Sequence, residues 1–68
     1  MKKQNKLNAN KLYYYYKLTD GIDILYCKMD MDLEPHRVPK VIGLDNYRAT
    51  RCTYEEYENN SNCIEVNE

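Results

Sequence analysis

The sequence predicts a small, mainly β domain, or a small α+β domain if its one helix runs longer than its local signals indicate. The expected architecture is an antiparallel meander of four to five strands, twisted or barrel-like, with one short C-terminal helix. Three observations predict it. The tetrad Tyr13-Tyr14-Tyr15-Tyr16, flanked by leucines, has high strand propensity and poor helix propensity. Thr19-Asp20-Gly21 places a turn signal between two apolar runs. Thr53-Tyr54-Glu55-Glu56 has the spacing of a capping box, which starts a helix.

Taken in order, Met1 to Lys11 is polar, rich in Asn and Lys, and without apolar periodicity, so residues 1–11 are expected to be a flexible basic arm. Residues 12–68 are expected to form one small domain. The first strand is expected over Leu12 to Leu18 and the second over Ile22 to about Met29. A three-residue loop of Thr19, Asp20 and a left-handed Gly21 would form a bulged turn. That register sets Lys17 opposite Asp23, a favourable cross-strand pair, and Leu18 opposite Ile22. It places Leu12, Tyr14, Tyr16, Leu18, Ile22, Ile24 and Tyr26 on one face. Tyr13, Tyr15, Lys17, Asp23, Leu25, Cys27 and Met29 lie on the other.

Asp30 to Arg37 is acidic, then bounded by Pro35, and reads as a loop. Val38 to Leu44 reads as a third strand, with Pro39 assigning it to an edge because proline has no N–H for a ladder. Tyr47 to Cys52 alternates well enough for a fourth strand. A short helix is expected from Tyr54 to about Asn59, ended by Asn59-Asn60-Ser61-Asn62. Cys63-Ile64-Glu65-Val66 is expected to be a last strand closing the sheet.

Composition narrows the function classes. The chain has 68 residues, 43 % hydrophobic and 31 % charged, with two Gly and two Pro, which is too apolar for a disordered chain. No apolar run approaches the roughly 18 residues of a spanning helix, and no apolar segment follows the basic start as in a signal peptide. A cytoplasmic protein without membrane contact is expected. Three cysteines at wide spacing make a poor disulfide framework and fit free thiols in a reducing compartment.

Eight Tyr stand beside no Phe and no Trp. Every large aromatic therefore brings a hydroxyl that needs water or a partner. Abundant Tyr, Asn and Lys also fit an AT-rich coding sequence, as in a low-GC bacterium or its phages. The net charge of −1 conceals segregation: residues 1–18 carry five Lys and no acid, and residues 54–68 carry five Glu and no base. This balance argues against a dedicated nucleic-acid binder, which usually shows a basic domain.

No constellation names a chemistry. Cys27, His36, Cys52 and Cys63 would make a four-ligand zinc set, but structural zinc sites bring ligands in close pairs and these are scattered. Asp30, Asp32 and Glu34 alternate like the start of a calcium loop, yet Pro35 and Val41 stand where its Gly and final Glu belong. The single His lies beside Pro35 with no nucleophile signature nearby, and the two Gly are too far apart for a phosphate loop. No catalytic residue, metal ligand or cofactor is assigned, and an enzyme is not expected.

A binding surface remains. Tyr and Arg combine contact area with a polar tip and are enriched at binding hot spots. The candidate partner-binding residues are Tyr13, Tyr15, Lys17, Tyr47, Arg48 and Arg51. The expected function is a non-enzymatic protein-binding module, of the kind a phage or mobile element encodes to modulate or inhibit a host protein in anti-defence. Its expected partner is a larger host protein or complex, with a homodimer possible through the exposed strand edge. A single-stranded nucleic-acid binder using Tyr13, Tyr15, Lys17, Lys28, Arg48 and Arg51 is one rival reading. A small zinc-stabilised adaptor is another.

Overall fold

The computed structural model describes residues 12–66, so the expected basic arm over 1–11 lies outside the described residues, as do residues 67 and 68. Its elements are β1 (Tyr14–Thr19), β2 (Ile24–Met29), a 3₁₀ turn (Pro35–Arg37), α1 (Val38–Val41), β3 (Arg48–Arg51), α2 (Tyr54–Glu58) and β4 (Cys63–Val66). The fold is a small, mostly β, α+β domain around one four-stranded sheet of order β3-β1-β2-β4.

The hairpin forms where expected, but in a different register. Thr19 pairs with Ile24, Leu18 with Leu25, Lys17 with Tyr26, Tyr16 with Cys27, Tyr15 with Lys28 and Tyr14 with Met29. The paired strands end at Thr19 and Ile24, so the connection is the four residues 20–23 rather than three, with the Asp20 N–H reaching the Asp23 carbonyl (3.4 Å) and Gly21 at φ +98°. Side-chain chemistry in the turn explains the difference. The Asp20 carboxylate accepts from the N–H groups of Ile22 (2.9 Å) and Asp23 (2.8 Å). The Thr19 hydroxyl accepts from the Gly21 N–H (3.0 Å) and donates to the Asp23 carbonyl (2.9 Å). Hydrogen bonds of this kind are worth about 0.5–1.5 kcal/mol each, against about 0.2–1 kcal/mol for the Lys17–Asp23 pair the bulged register would gain.

The offset between the two registers is odd, so β2 turns over. The core face now carries Tyr14, Tyr16 and Leu18 with Leu25, Cys27 and Met29. Tyr16, Leu18, Cys27 and Met29 are fully buried on it beside Val38. Ile24 moves to the second face with Tyr15, Lys17, Thr19, Tyr26 and Lys28.

The expected third strand, Val38 to Leu44, is helical instead. Pro35 opens the 3₁₀ turn and Pro39 sits in the first turn of α1, where a fixed φ is preorganised and a missing N–H costs nothing. Gly43, at φ +78°, ends α1 in a Schellman arrangement. Its N–H bonds the Lys40 carbonyl (3.3 Å), and the Leu44 N–H bonds the Pro39 carbonyl (2.8 Å). Val38 and Ile42, four apart, drop from this segment onto the core face.

The sheet is neither a meander nor closed. β3 pairs antiparallel with β1, as the strand expected over Tyr47 to Cys52, but β4 pairs in parallel with β2. A parallel pair cannot be joined by a hairpin, so the chain must cross a face of the sheet between β3 and β4. The crossing element is α2, whose capping box forms as expected. The Thr53 hydroxyl accepts from the Glu56 N–H (3.1 Å), and the Glu56 carboxylate accepts from the Thr53 N–H (3.0 Å). The segment 31–44 thus covers the core face, and α2 covers part of the second.

Candidate functional site

Strand alternation sorts the six candidate residues between the two faces. Tyr15 and Lys17 project on the second face, Arg48 joins them opposite Thr19, and Tyr13 follows the same alternation. Tyr47 and Arg51 share the core side with Ala49. The six therefore do not form one patch.

The core-side pair is committed to the fold. Tyr47 packs against the core cluster, and its phenol pKa is raised, first by burial and then by the carboxylates of Asp20 and Asp23. Arg51 spans the Asp30–Glu34 loop and β1. Its guanidinium donates to the Asp32 carboxylate (2.9 Å), the Leu33 carbonyl (3.2 Å) and the Tyr16 hydroxyl (3.4 Å), and lies over the Tyr16 ring. The Asp32 hydrogen bond is the main reason the Arg51 pKa is raised further.

On the second face Tyr15 is the centre of an aromatic cluster with α2. Its ring centroid lies 5.5 Å from Tyr54, edge-on, and 5.3 Å from Tyr57, tilted. Burial is the first cause of its raised pKa, followed by the carboxylate of Glu58. The Lys28 ammonium sits 4.2 Å from the centroid of Tyr13, a cation–π contact. Tyr26 is nearly buried here, whereas Tyr54, on the outer side of the cluster, is 53 % exposed.

The hairpin end of the second face is different. α2 does not reach it, leaving Ile24 43 % exposed beside Lys17, Thr19 and Arg48. Beyond it Ile22, at the turn, is 88 % exposed, the most exposed large apolar side chain among the described residues. The mistaken register concealed both isoleucines by assigning them to the core. The signal that would have found them is the pair Thr19-Asp20 ahead of Gly21. Short polar side chains there bond their own backbone and hold a four-residue turn.

All three thiols are free. Cys27 is buried on the core face, and burial pushes its pKa up to about 11. Cys52 and Cys63 are half-buried, and the Cys63 thiol donates to the Asn60 (2.9 Å) and Tyr57 (3.1 Å) carbonyls. His36 stands exposed on the 3₁₀ turn, 3.6 Å from the Glu34 carboxylate. Among the described residues no group of three or more His, Cys, Asp or Glu is placed to hold a metal ion. No described helix is long and apolar enough to cross a membrane.

No family model matches this chain, and no curated protein or solved structure matches it significantly.

Proposed function

We propose that this chain is a non-enzymatic protein-binding module that docks on a larger protein through the hairpin end of its second face. One observation carries the reading: Ile24 lies 43 % exposed on the sheet face where α2 stops, in a row with Thr19 and Arg48 and diagonal to Lys17. An apolar centre with a charged rim is the usual anatomy of a docking patch. The AT-rich composition and small size support a phage- or mobile-element-encoded modulator of a host protein.

The test is affinity capture from a low-GC bacterial lysate with the wild type, Ile24→Asp and Arg48→Glu side by side. A stoichiometric partner retained by the wild type and lost with both variants is expected, with circular dichroism unchanged. Recovery unaffected by Ile24→Asp, or no stoichiometric partner, overturns the reading. A low-salt anisotropy titration with single-stranded oligonucleotides is expected to stay flat, because both neighbours of the Tyr15 ring are already tyrosines of α2.

A further inference from the structure

Two features outside the proposed patch complement each other. The first is the hairpin tip. Ile22 projects into solvent between Asp20 and Asp23, held by the side-chain bonds of Thr19 and Asp20 to the turn. The Asp23 and Ile22 N–H groups hold the Asp20 pKa below the usual carboxylate value. The tip is therefore an apolar knob flanked by two carboxylates, and its fixed backbone leaves little ordering entropy to lose on docking.

The second is a recess of about 410 Å³ on the 3₁₀ turn and α1, lined by His36, Arg37, Lys40 and Val41. Val41 is 48 % exposed in it. No ion pair or side-chain hydrogen bond to Arg37 or Lys40 occurs among the described residues, and the Glu34 carboxylate lies 3.6 Å from His36. The recess offers what the knob lacks: an apolar floor with unpaired cations at its rim.

We infer that two copies of this chain associate by seating the Asp20–Asp23 tip of one in the His36–Val41 recess of the other. The two patches differ, so the contact is heterologous, and two copies can either exchange tips as a closed pair or extend into an open chain. Insertion of a single knob covers much less than the roughly 1,200–2,000 Å² of a stable interface. The association is accordingly weak, rapidly exchanging and sensitive to salt.

The experiment is a dilution series of the ¹⁵N-labelled full chain at low salt. The amide resonances of Gly21, Ile22 and Asp23 are expected to shift with concentration together with those of Arg37, Lys40 and Val41. These shifts should fall about two-fold or more in 1 M NaCl, where the screening length is about 3 Å. Ile22→Ala, a change at a side chain the core does not use, should abolish the shifts at both patches. Asp23→Lys and Lys40→Glu should each be silent alone, whereas labelled Lys40→Glu should shift when unlabelled Asp23→Lys is added. Absent shifts, shifts at one patch only, shifts that survive Ile22→Ala, or a silent mixture overturn the inference. So does a recess that responds to inorganic phosphate while the tip never moves, which would make it an anion site.

Discussion

The hydroxyl of Tyr16 sits where β1, β3 and the Asp30–Glu34 loop meet. It donates to the Leu33 carbonyl (2.6 Å), and accepts from the Leu33 N–H (3.1 Å) and from Arg51 (3.4 Å). A donor and both acceptor sites are thus filled in the middle of a fully buried side chain, a demand that Phe cannot meet. Tyr15, one residue away, contributes only its ring to the cluster with Tyr54 and Tyr57. Tyr16→Phe is therefore expected to lose about 1–3 kcal/mol in urea unfolding, because the Leu33 N–H is left without its acceptor and the Leu33 carbonyl keeps only Arg51. Tyr15→Phe should stay within about 0.5 kcal/mol of the wild type. Equal losses for the two would refute this division of labour. The composition signalled that the hydroxyls must be satisfied but not which of them were inside. That depends on the loop Leu33 belongs to, far away in sequence.

At the scale of elements, the two helices show which signals carry from sequence to structure. α2 was legible because its start is encoded in four consecutive residues, Thr53 to Glu56, that complete each other's hydrogen bonds locally. α1 was equally encoded, by Pro39 in its first turn and Gly43 just past its end, but the β-branched Val38, Val41 and Ile42 suggested a strand. Spacing resolves the conflict, since Val38 and Ile42 reach the core together only on a helix. Nothing stands within 4 Å of a Cβ added at Gly43, so Gly43→Ala meets only the conformational penalty of φ +78°. That penalty is about 1 kcal/mol, or a fall in Tm of roughly 4–8 °C for a domain of this size. An unchanged Tm would mean that α1 is not anchored by its Schellman end. The parallel pairing of β4 was not legible at all. Its own residues read equally well in either direction, and only the path of α2 across the sheet decides.

Across the whole molecule, the candidate site was half legible for the same reason that the register was missed. Strand existence follows from local propensity, but the choice of face follows from one turn, and an odd shift of β2 exchanged Ile24 for Cys27 in the core. The resulting core is a single layer in a domain that buries only about 60 % of its extended-chain surface. Its edge on β2 rests on two half-buried side chains, Ile64 beside Cys27 and Val66 beside Met29. Cys27 is therefore a built-in reporter of opening at that edge. Fully buried, and with a pKa near 11, it cannot present a thiolate to iodoacetamide at neutral pH until β4 moves away. Cys52 and Cys63 are half-buried and should be alkylated first. Ile64→Ala removes a partly buried side chain at a cost of about 1–2 kcal/mol and frees the β2 edge. Mass mapping should then show Cys27 labelling accelerated about 5- to 30-fold, the same free energy read as an opening constant. Cys52, on the far side of β1, should label at its wild-type rate. If instead Ile64→Ala accelerates both thiols equally, β4 does not open on its own and the sheet unfolds as one unit.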